Sequence, residues 1–425
     1  TLYRNQRVES GVANFDDVTR AAGLLRLAHE NDVKIGGVGD TAGGVGCADY
    51  DNDGDLDLFW KNADPDIDNA LFRNEGNWRF VDVTASSGVA LQGKLKDSNA
   101  QGSPNWIDFD EDGRIDLLVT NERDSKVLFR NMGDGRFEDI TRARRPPNGL
   151  PFLNPGNAQG ACIADFDHDG DMDVFLPMAD QAGRMIANRL RERGTLAFED
   201  ITARSGAGVV RGTRGCVAAD FDNDGHVDLY LNSGGPSNVL INDVISDFPP
   251  FVQFYIAWEP AENTLLRNRG DGTFEDVTRG SGAEGLGIGS GVGAADLNDD
   301  GFADLFVTER TYYAMGKQVS AQAGRNRLLV NRANRNGWLK VALDGKRSPR
   351  TPFGARVTVV AGDLVQHQVL QSAHGYNSTN DPVLIFGVGS RATVDRVEVR
   401  WPSGAVQVIE KPALRQTLRI VEARP

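Results

Sequence analysis

The chain has 425 residues, with 60 acidic against 46 basic side chains, a net charge of −14, 49 Gly, 17 Pro, five His and three Cys. No apolar run nears the ~20 residues a membrane helix needs, and no basic patch with interleaved aromatics points to nucleic acid. Many Gly and Pro among short apolar runs indicate an all-β chain rich in turns and long enough for a large core.

At the start, LYRN from Leu2 and FDDVT from Phe15 read as an outer hairpin without inner strands of its own. A Gly-rich stretch then leads into DYDNDGDLDLF, where Asp49, Asp51, Asp53, Asp55 and Asp57 alternate around Gly54. So many like charges repel one another in water and resist losing their hydration. A hard cation reverses the balance: Ca²⁺ takes six to eight oxygens, and a glycine at the sixth position lets the chain close tightly around it.

Four more copies follow. They bring Asp108, Asp110, Asp112, Arg114 and Asp116; Asp165, Asp167, Asp169, Asp171 and Asp173; Asp220, Asp222, Asp224, His226 and Asp228; and Asp296, Asn298, Asp300, Phe302 and Asp304. Positions 1, 5 and 9 are always Asp, position 3 is Asp or Asn, and position 6 is always Gly. Position 7 varies from Asp55 to Phe302, as expected of a residue that offers its backbone carbonyl. Asp and Gly are also ordinary turn residues, but five copies with the same fixed and free positions favour metal. An EF-hand would need a twelfth-position Glu and flanking helices, whereas these loops run directly into strands such as LDLFW and VDLYLN. The five windows hold 23 of the 60 acidic residues, so five Ca²⁺ ions would bring the charge from −14 to −4.

Successive loops start 59, 57, 55 and 76 residues apart. Between them a second motif keeps the beat, as in LFRNEGNWRFVDVT from Leu71, LFRNMGDGRFEDIT from Leu128 and LLRNRGDGTFEDVT from Leu265, each a hairpin signal. Four antiparallel strands per unit, repeated around a ring, make a β-propeller blade. Five blades are expected, with six or seven open, and FDDVT is a candidate closing strand for the last. Cys47, Cys162 and Cys216 all precede loops on the same repeated strand and read as buried free thiols.

The loops lie on one face of such a disc, and ligand binding is expected on the other. There the inner strands begin with Asp40, Asn99, Gln101, Asn157, Gln159, Arg211 and Arg214, and long insertions near 232–262 and 308–326 carry Phe248, Phe251, Phe254, Tyr255, Trp258, Tyr312 and Tyr313. Polar groups converging on a channel mouth suit a carbohydrate or a protein ligand, or line a solvated channel. The aromatics serve equally to pack the insertions onto the disc. No His spacing suggests zinc; His168 and His226 fall at free loop positions, where exposure is expected.

After Asn331 the beat stops, and WLKVALDG, FGARVTVV and RVEVRWPSG read as strands of a separate β-sandwich, dividing the chain into 1–335 and 336–425. The loop units resemble the FG-GAP or VCBS repeats of integrin α-chain propellers, and the tail resembles the ASPIC/UnbV domain that follows such repeats in the cartilage acidic protein family. The resemblance implies a secreted calcium-binding propeller, extracellular or periplasmic, and fits a start at Thr1 that reads as a mature form. A binding or adhesion module is the expected function. The alternative is a propeller enzyme, a sugar dehydratase or carbon–carbon bond former, with its site at the mouth opposite the calcium loops.

Overall fold

The computed structural model describes residues 2–5, 14–24, 42–62, 69–90, 102–121, 126–143, 150, 156–209, 212–236, 258–259, 261–309, 313–314, 317–318 and 325–424. An antiparallel hairpin, β1 (Tyr3–Asn5) with β2 (Phe15–Asp17), comes first. Blade 1 is β3 (Ala42–Ala48), β4 (Asp57–Asn62), β5 (Ala70–Asn74) and β6 (Phe80–Asp82), hydrogen-bonded in chain order. Blade 2 repeats it with β7 (Pro104–Ile107), β8 (Asp116–Val119), β9 (Val127–Asn131) and β10 (Phe137–Asp139). Blade 3 has β11 (Cys162–Ala164), β12 (Asp173–Leu176), β13 (Arg184–Asn188) and β14 (Phe198–Asp200).

Blade 4 opens with β15 (Thr213–Ala219) and β16 (Asp228–Ser233). Its insertion contributes the short strands β17 (Gly235–Pro236), β18 (Trp258–Glu259) and β19 (Ala261–Glu262) before β20 (Thr264–Asn268) and β21 (Phe274–Asp276) complete the sheet. Next come β22 (Leu286–Gly287), paired with β19, and blade 5, which among the described residues has three strands: β23 (Gly289–Ala295), β24 (Asp304–Glu309) and, past the ribbon β25 (Tyr313–Ala314) and β26 (Lys317–Gln318), β27 (Arg327–Leu329). The expected closing role of FDDVT is not met. Among the described residues strand β2 pairs with β1 alone, and Ala22 just beyond it accepts a 2.8 Å hydrogen bond from Phe80 N on blade 1.

Residues from Gly337 onward form two sheets. One has the order β31-β28-β34 and the other β30-β29-β32-β33, from β28 (Gly337–Asp344), β29 (Arg356–Ala361), β30 (Leu364–Val369), β31 (Val383–Gly389), β32 (Arg396–Arg400), β33 (Val406–Glu410) and β34 (Thr417–Val421). They enclose a core of their own, including Leu339, Val359, Phe386, Val397 and Trp401. This β-sandwich sits on the calcium-loop face. The connection between β30 and β31 goes further and enters the centre of the propeller. Gln371 Nε2 donates to Ile163 O at 3.0 Å, Ser372 Oγ accepts from Cys47 N at 3.1 Å, Gly375 N donates to Ala161 O at 2.9 Å, and Ser378 Oγ accepts from Val292 N at 2.9 Å. Glycine on the inner strands makes the room: a Cβ on Gly160 would meet Gly375 C at 2.3 Å.

The cysteine expectation is also corrected. Cys162 and Cys216 form a disulfide with Cα atoms 6.1 Å apart, and Cys47 alone is free. The register supplies the reason. Cys162 pairs with Phe175, the eleventh residue of its loop-and-strand unit, whereas Cys216 pairs with Leu231, the twelfth. A one-residue offset turns a side chain to the opposite face of its strand, so the two thiols point at each other across the gap between blades 3 and 4.

Candidate functional site

Each loop is held by its own aspartates before any ion is considered. In the first, the position-1 carboxylate accepts from the backbone N–H of positions 5 and 6: Asp49 from Asp53 at 2.9 Å and Gly54 at 3.0 Å. Position 5 accepts from position 7, Asp53 from Asp55 N at 2.9 Å. Position 9 reaches two ways, for Asp57 accepts from Tyr50 N at 3.1 Å and from Asn74 N at 2.8 Å. Asp116, Asp173, Asp228 and Asp304 repeat the second contact with Asn131, Asn188, Asn268 and Asn331. That is what the asparagine of the Arg-Asn motif does: it ties the third strand to the loop, and Asn188 and Asn331 do so without an Arg before them. The side chain also ties blade to blade, as Asn131 Nδ2 donates to Tyr50 O at 2.8 Å and Asn268 Nδ2 to Phe166 O at 2.8 Å.

Alongside these bonds the carboxylate oxygens converge. Asp49, Asp51 and Asp53; Asp108, Asp110 and Asp116; Asp165, Asp167 and Asp173; and Asp220, Asp222 and Asp228 each bring three oxygens within 4.8 Å of one another. Burial pushes Asp49 up to about 6, Asp108 and Asp165 to about 7 and Asp57 to about 8, and drives Asp116, Asp173, Asp220 and Asp228 well above the usual carboxylate range. Asp51 Oδ1 is buried without a hydrogen-bond partner. A cation at the centre removes both penalties, and an all-oxygen donor set fits Ca²⁺. The fifth loop keeps the backbone pattern, with Asp300 N on Asp296 at 3.0 Å, but Asn298 turns its amide to Asp300 at 2.8 Å and Lys340 Nζ stands 2.7 Å from Asp296. Of the position-7 residues, Arg114 turns its guanidinium to Asp112, and Asp171 joins Asp169 and Glu192 in a further cluster; Phe302 is buried.

Position 4, which showed no side-chain rule in the sequence, is where the tail docks. Glu111 meets Arg356 and Arg191, and Asp299 meets Lys340. His168 Nε2 lies 2.7 Å from His226 Nδ1, and its Nδ1 is 3.3 Å from Val365 O, so the expected exposure of these histidines gives way to a pair wedged under the sandwich.

At the opposite mouth, Asp40, Asn99, Gln101 and Arg211 lie outside the described residues, as do Phe248, Phe251, Phe254, Tyr255 and Tyr312. Trp258 is placed by its backbone, paired with Pro236. Asn157 N donates to Asp180 Oδ1 at 2.9 Å and Gln159 O accepts from Thr120 Oγ1 at 2.9 Å, so both stand where the inner strand of blade 3 begins. The register of β15 shifts between Thr213 and Gly215, which makes Arg214 the bulged residue. Bulges re-aim side chains. Arg214, 3% exposed, is buried by this one, and Gln159 is 1% exposed with both amide atoms lacking a hydrogen-bond partner among the described residues.

A propeller of Asp-loop blades capped by a β-sandwich on its loop face is the class of protein these features define. The chain matches the FG-GAP-like repeat over residues 49–119, 108–176 and 253–307, and the ASPIC and UnbV family over 345–425. It carries FG-GAP-like repeats followed by an ASPIC and UnbV domain. Among curated relatives it is 26% identical over 302 residues to Cartilage acidic protein 1 of Xenopus tropicalis, covering 68% of this chain and 40% of that protein. The human Cartilage acidic protein 1 is 26% identical over 295 residues, covering 68% of this chain and 39% of the relative. The chain thus spans about 40% of the length of the curated relatives it matches. A sucrose-6-phosphate hydrolase from Lactobacillus gasseri aligns at TM-score 0.31 and 12% identity over 89% of this chain and 88% of its own, too distant to carry an argument. No helix of the described residues is long and apolar enough to cross a membrane.

Proposed function

We propose that the chain is a calcium-stabilised extracellular binding module whose ligand, a carbohydrate or a protein, enters the channel mouth opposite the calcium loops. Gln159 carries the reading. A buried polar group without a partner costs about 1–3 kcal/mol, and such a group at a site calls for a ligand or ordered water to complete it. Gln159 has two such atoms, and Thr213 Oγ1 and Ser233 Oγ nearby along the inner strands of blade 4 are buried in the same condition. Hydroxyls and amides of a sugar or a peptide match this mixture of donors and acceptors.

Calcium fits the loops as a clamp. The oxygen-only donor set supports Ca²⁺ over softer metals, with the position-7 carbonyls of Asp55, Arg114, Asp171, His226 and Phe302 as further ligands. Loops of this kind stay filled where calcium is plentiful, and the Cys162–Cys216 disulfide suits an oxidising compartment. Both favour a secreted location, as does similarity to a protein named for cartilage. The family matches and the structural use of the loop carboxylates favour binding over catalysis.

The test is Gln159→Leu, which keeps the volume and removes the unpartnered amide. Ligands are first found by screening glycan and secreted-protein arrays with the calcium-loaded chain. The variant is expected to hold or raise the melting temperature while losing at least about tenfold in affinity. A variant that binds as the parent does would place the ligand elsewhere.

A further inference from the structure

The sheet β30-β29-β32-β33 turns one face toward the first two calcium loops and leaves a cleft of about 380 Å³ between sandwich and propeller, within the usual range for small-ligand sites. From the propeller side Glu111 reaches in; from the sandwich come Arg356 and, at alternate positions of β32, Arg396, Glu398 and Arg400. Alternate residues share one face of a strand, so these three side chains form a row, with Arg396 and Arg400 about 13 Å apart at Cα. Strand β32 runs inside its sheet between β29 and β33, so the row guards no edge.

The four cations of the cleft are not equivalent. Arg356 and Arg191 both meet Glu111, and Arg356 also reaches the carbonyl of Gly170; these contacts lock sandwich to propeller. Arg396 and Arg400 are exposed and enter no ion pair or side-chain hydrogen bond among the described residues. A guanidinium presents a planar fork that matches a carboxylate or a sulfate. Between the two stands Glu398, which repels a plain polyanion but accepts from a hydroxyl. Half-buried Phe353 and Pro402 add an apolar wall for the C–H face of a ring.

We propose that this cleft binds an anionic saccharide, with Arg396 and Arg400 each pairing with an acid group and Glu398 accepting a hydroxyl between them. The site is separate from the mouth, on the other side of the disc, and does not rest on the reading of Gln159. Its walls come from both parts of the chain, so a bound sugar also clamps them together.

Titration calorimetry on the full calcium-loaded chain tests it, with a disulfated disaccharide, a uronate disaccharide, their neutral parent and inorganic sulfate as probes. Binding of either acidic sugar, with the neutral parent unbound and sulfate at least about tenfold weaker, supports the proposal and identifies the acid group. The double variant Arg396→Gln with Arg400→Gln is expected to weaken that binding about 30-fold or more at an unchanged melting temperature. Arg419→Gln, an exposed charge on the other sheet, should change it less than about twofold. Binding of neither sugar, sulfate binding as tightly as the sugar, an unaffected double variant, or an equal loss in Arg419→Gln would each overturn it.

Discussion

Asn52, Glu111, His168, Asn223 and Asp299, the fourth residues of the five loops, all adopt φ between 55° and 64°. Asn, Asp and His tolerate this left-handed backbone better than other side chains; Glu111 is the exception, and two arginines hold it. The position therefore has a rule, but a conformational one, which a comparison of side-chain chemistry passes over. Glu422 shows another local device, with a clear pH consequence. Burial pushes its carboxyl up, but the Ser403 hydroxyl and the backbone N–H groups of Lys346, Ser348 and Arg347 outweigh that and bring it down to about 2. A folded value below the ordinary 4.5 means stability that is fully present above about pH 4.5 and lost as the pH falls toward 2. Glu422→Gln should lower the melting temperature at pH 7 and much less at pH 2.5; equal losses at both would show that the charge is not the source.

The strand–loop–strand unit was legible because metal chemistry and hairpin geometry both leave marks at fixed spacing: Asp at positions 1, 5 and 9, Gly at 6, and Arg-Asn before the turn. Contacts between units leave weaker marks. The Cys162–Cys216 bridge depends on a one-residue offset between two strands, which alignment on the loops blurs. The N-terminal hairpin repeats the bonds of an outer blade half, with Leu2 N on Thr19 Oγ1 at 2.7 Å as Leu71 N is on Thr84 Oγ1 at 3.0 Å, yet Tyr3 and Phe15 are 58% and 59% exposed where Phe72 is 3%. Its motif was plain; its neighbour was not. The segment SAHGYNSTND gave no sign that it would fill the channel, because its bonds go mostly to backbone groups. A division into units at residues 335 and 336 carries an expectation for proteolysis. Arg332 and Arg335 are exposed, so trypsin should cut there, but the inserted segment should keep both fragments together. They are expected to co-elute on gel filtration in calcium and to part only in denaturant; fragments that separate freely would mean the insertion holds nothing.

Over the whole molecule, negative charge is concentrated at one face. Of the 60 acidic residues 23 lie in the loop windows, and the sandwich covers that face through Arg356 and Lys340. With the loops empty, burial works against every ionised carboxylate cluster, and the fold must hold them by hydrogen bonds and a few arginines alone. With calcium bound, each ion would offset two of the four or five negative charges of its loop and stiffen the turn, which in the second, third and fifth loops is the turn whose position-4 side chain meets the sandwich. A site filled at 1,000 times its dissociation constant contributes about 4 kcal/mol. Several such sites exceed much of the net stability of a typical domain. Chelation should therefore lower the melting temperature by more than about 10 °C, and it should also expose the cut at Arg332 and Arg335 sooner, because the docking surface is built from the loops themselves. Asp169→Ala should reproduce part of the loss by emptying the third loop, and restoring calcium should reverse the chelated state but not the variant. The decisive measurement is a pair of melting curves with metal content determined on the same samples: an unchanged curve in protein shown to be calcium-free would mean that the aspartates hold their turns without an ion.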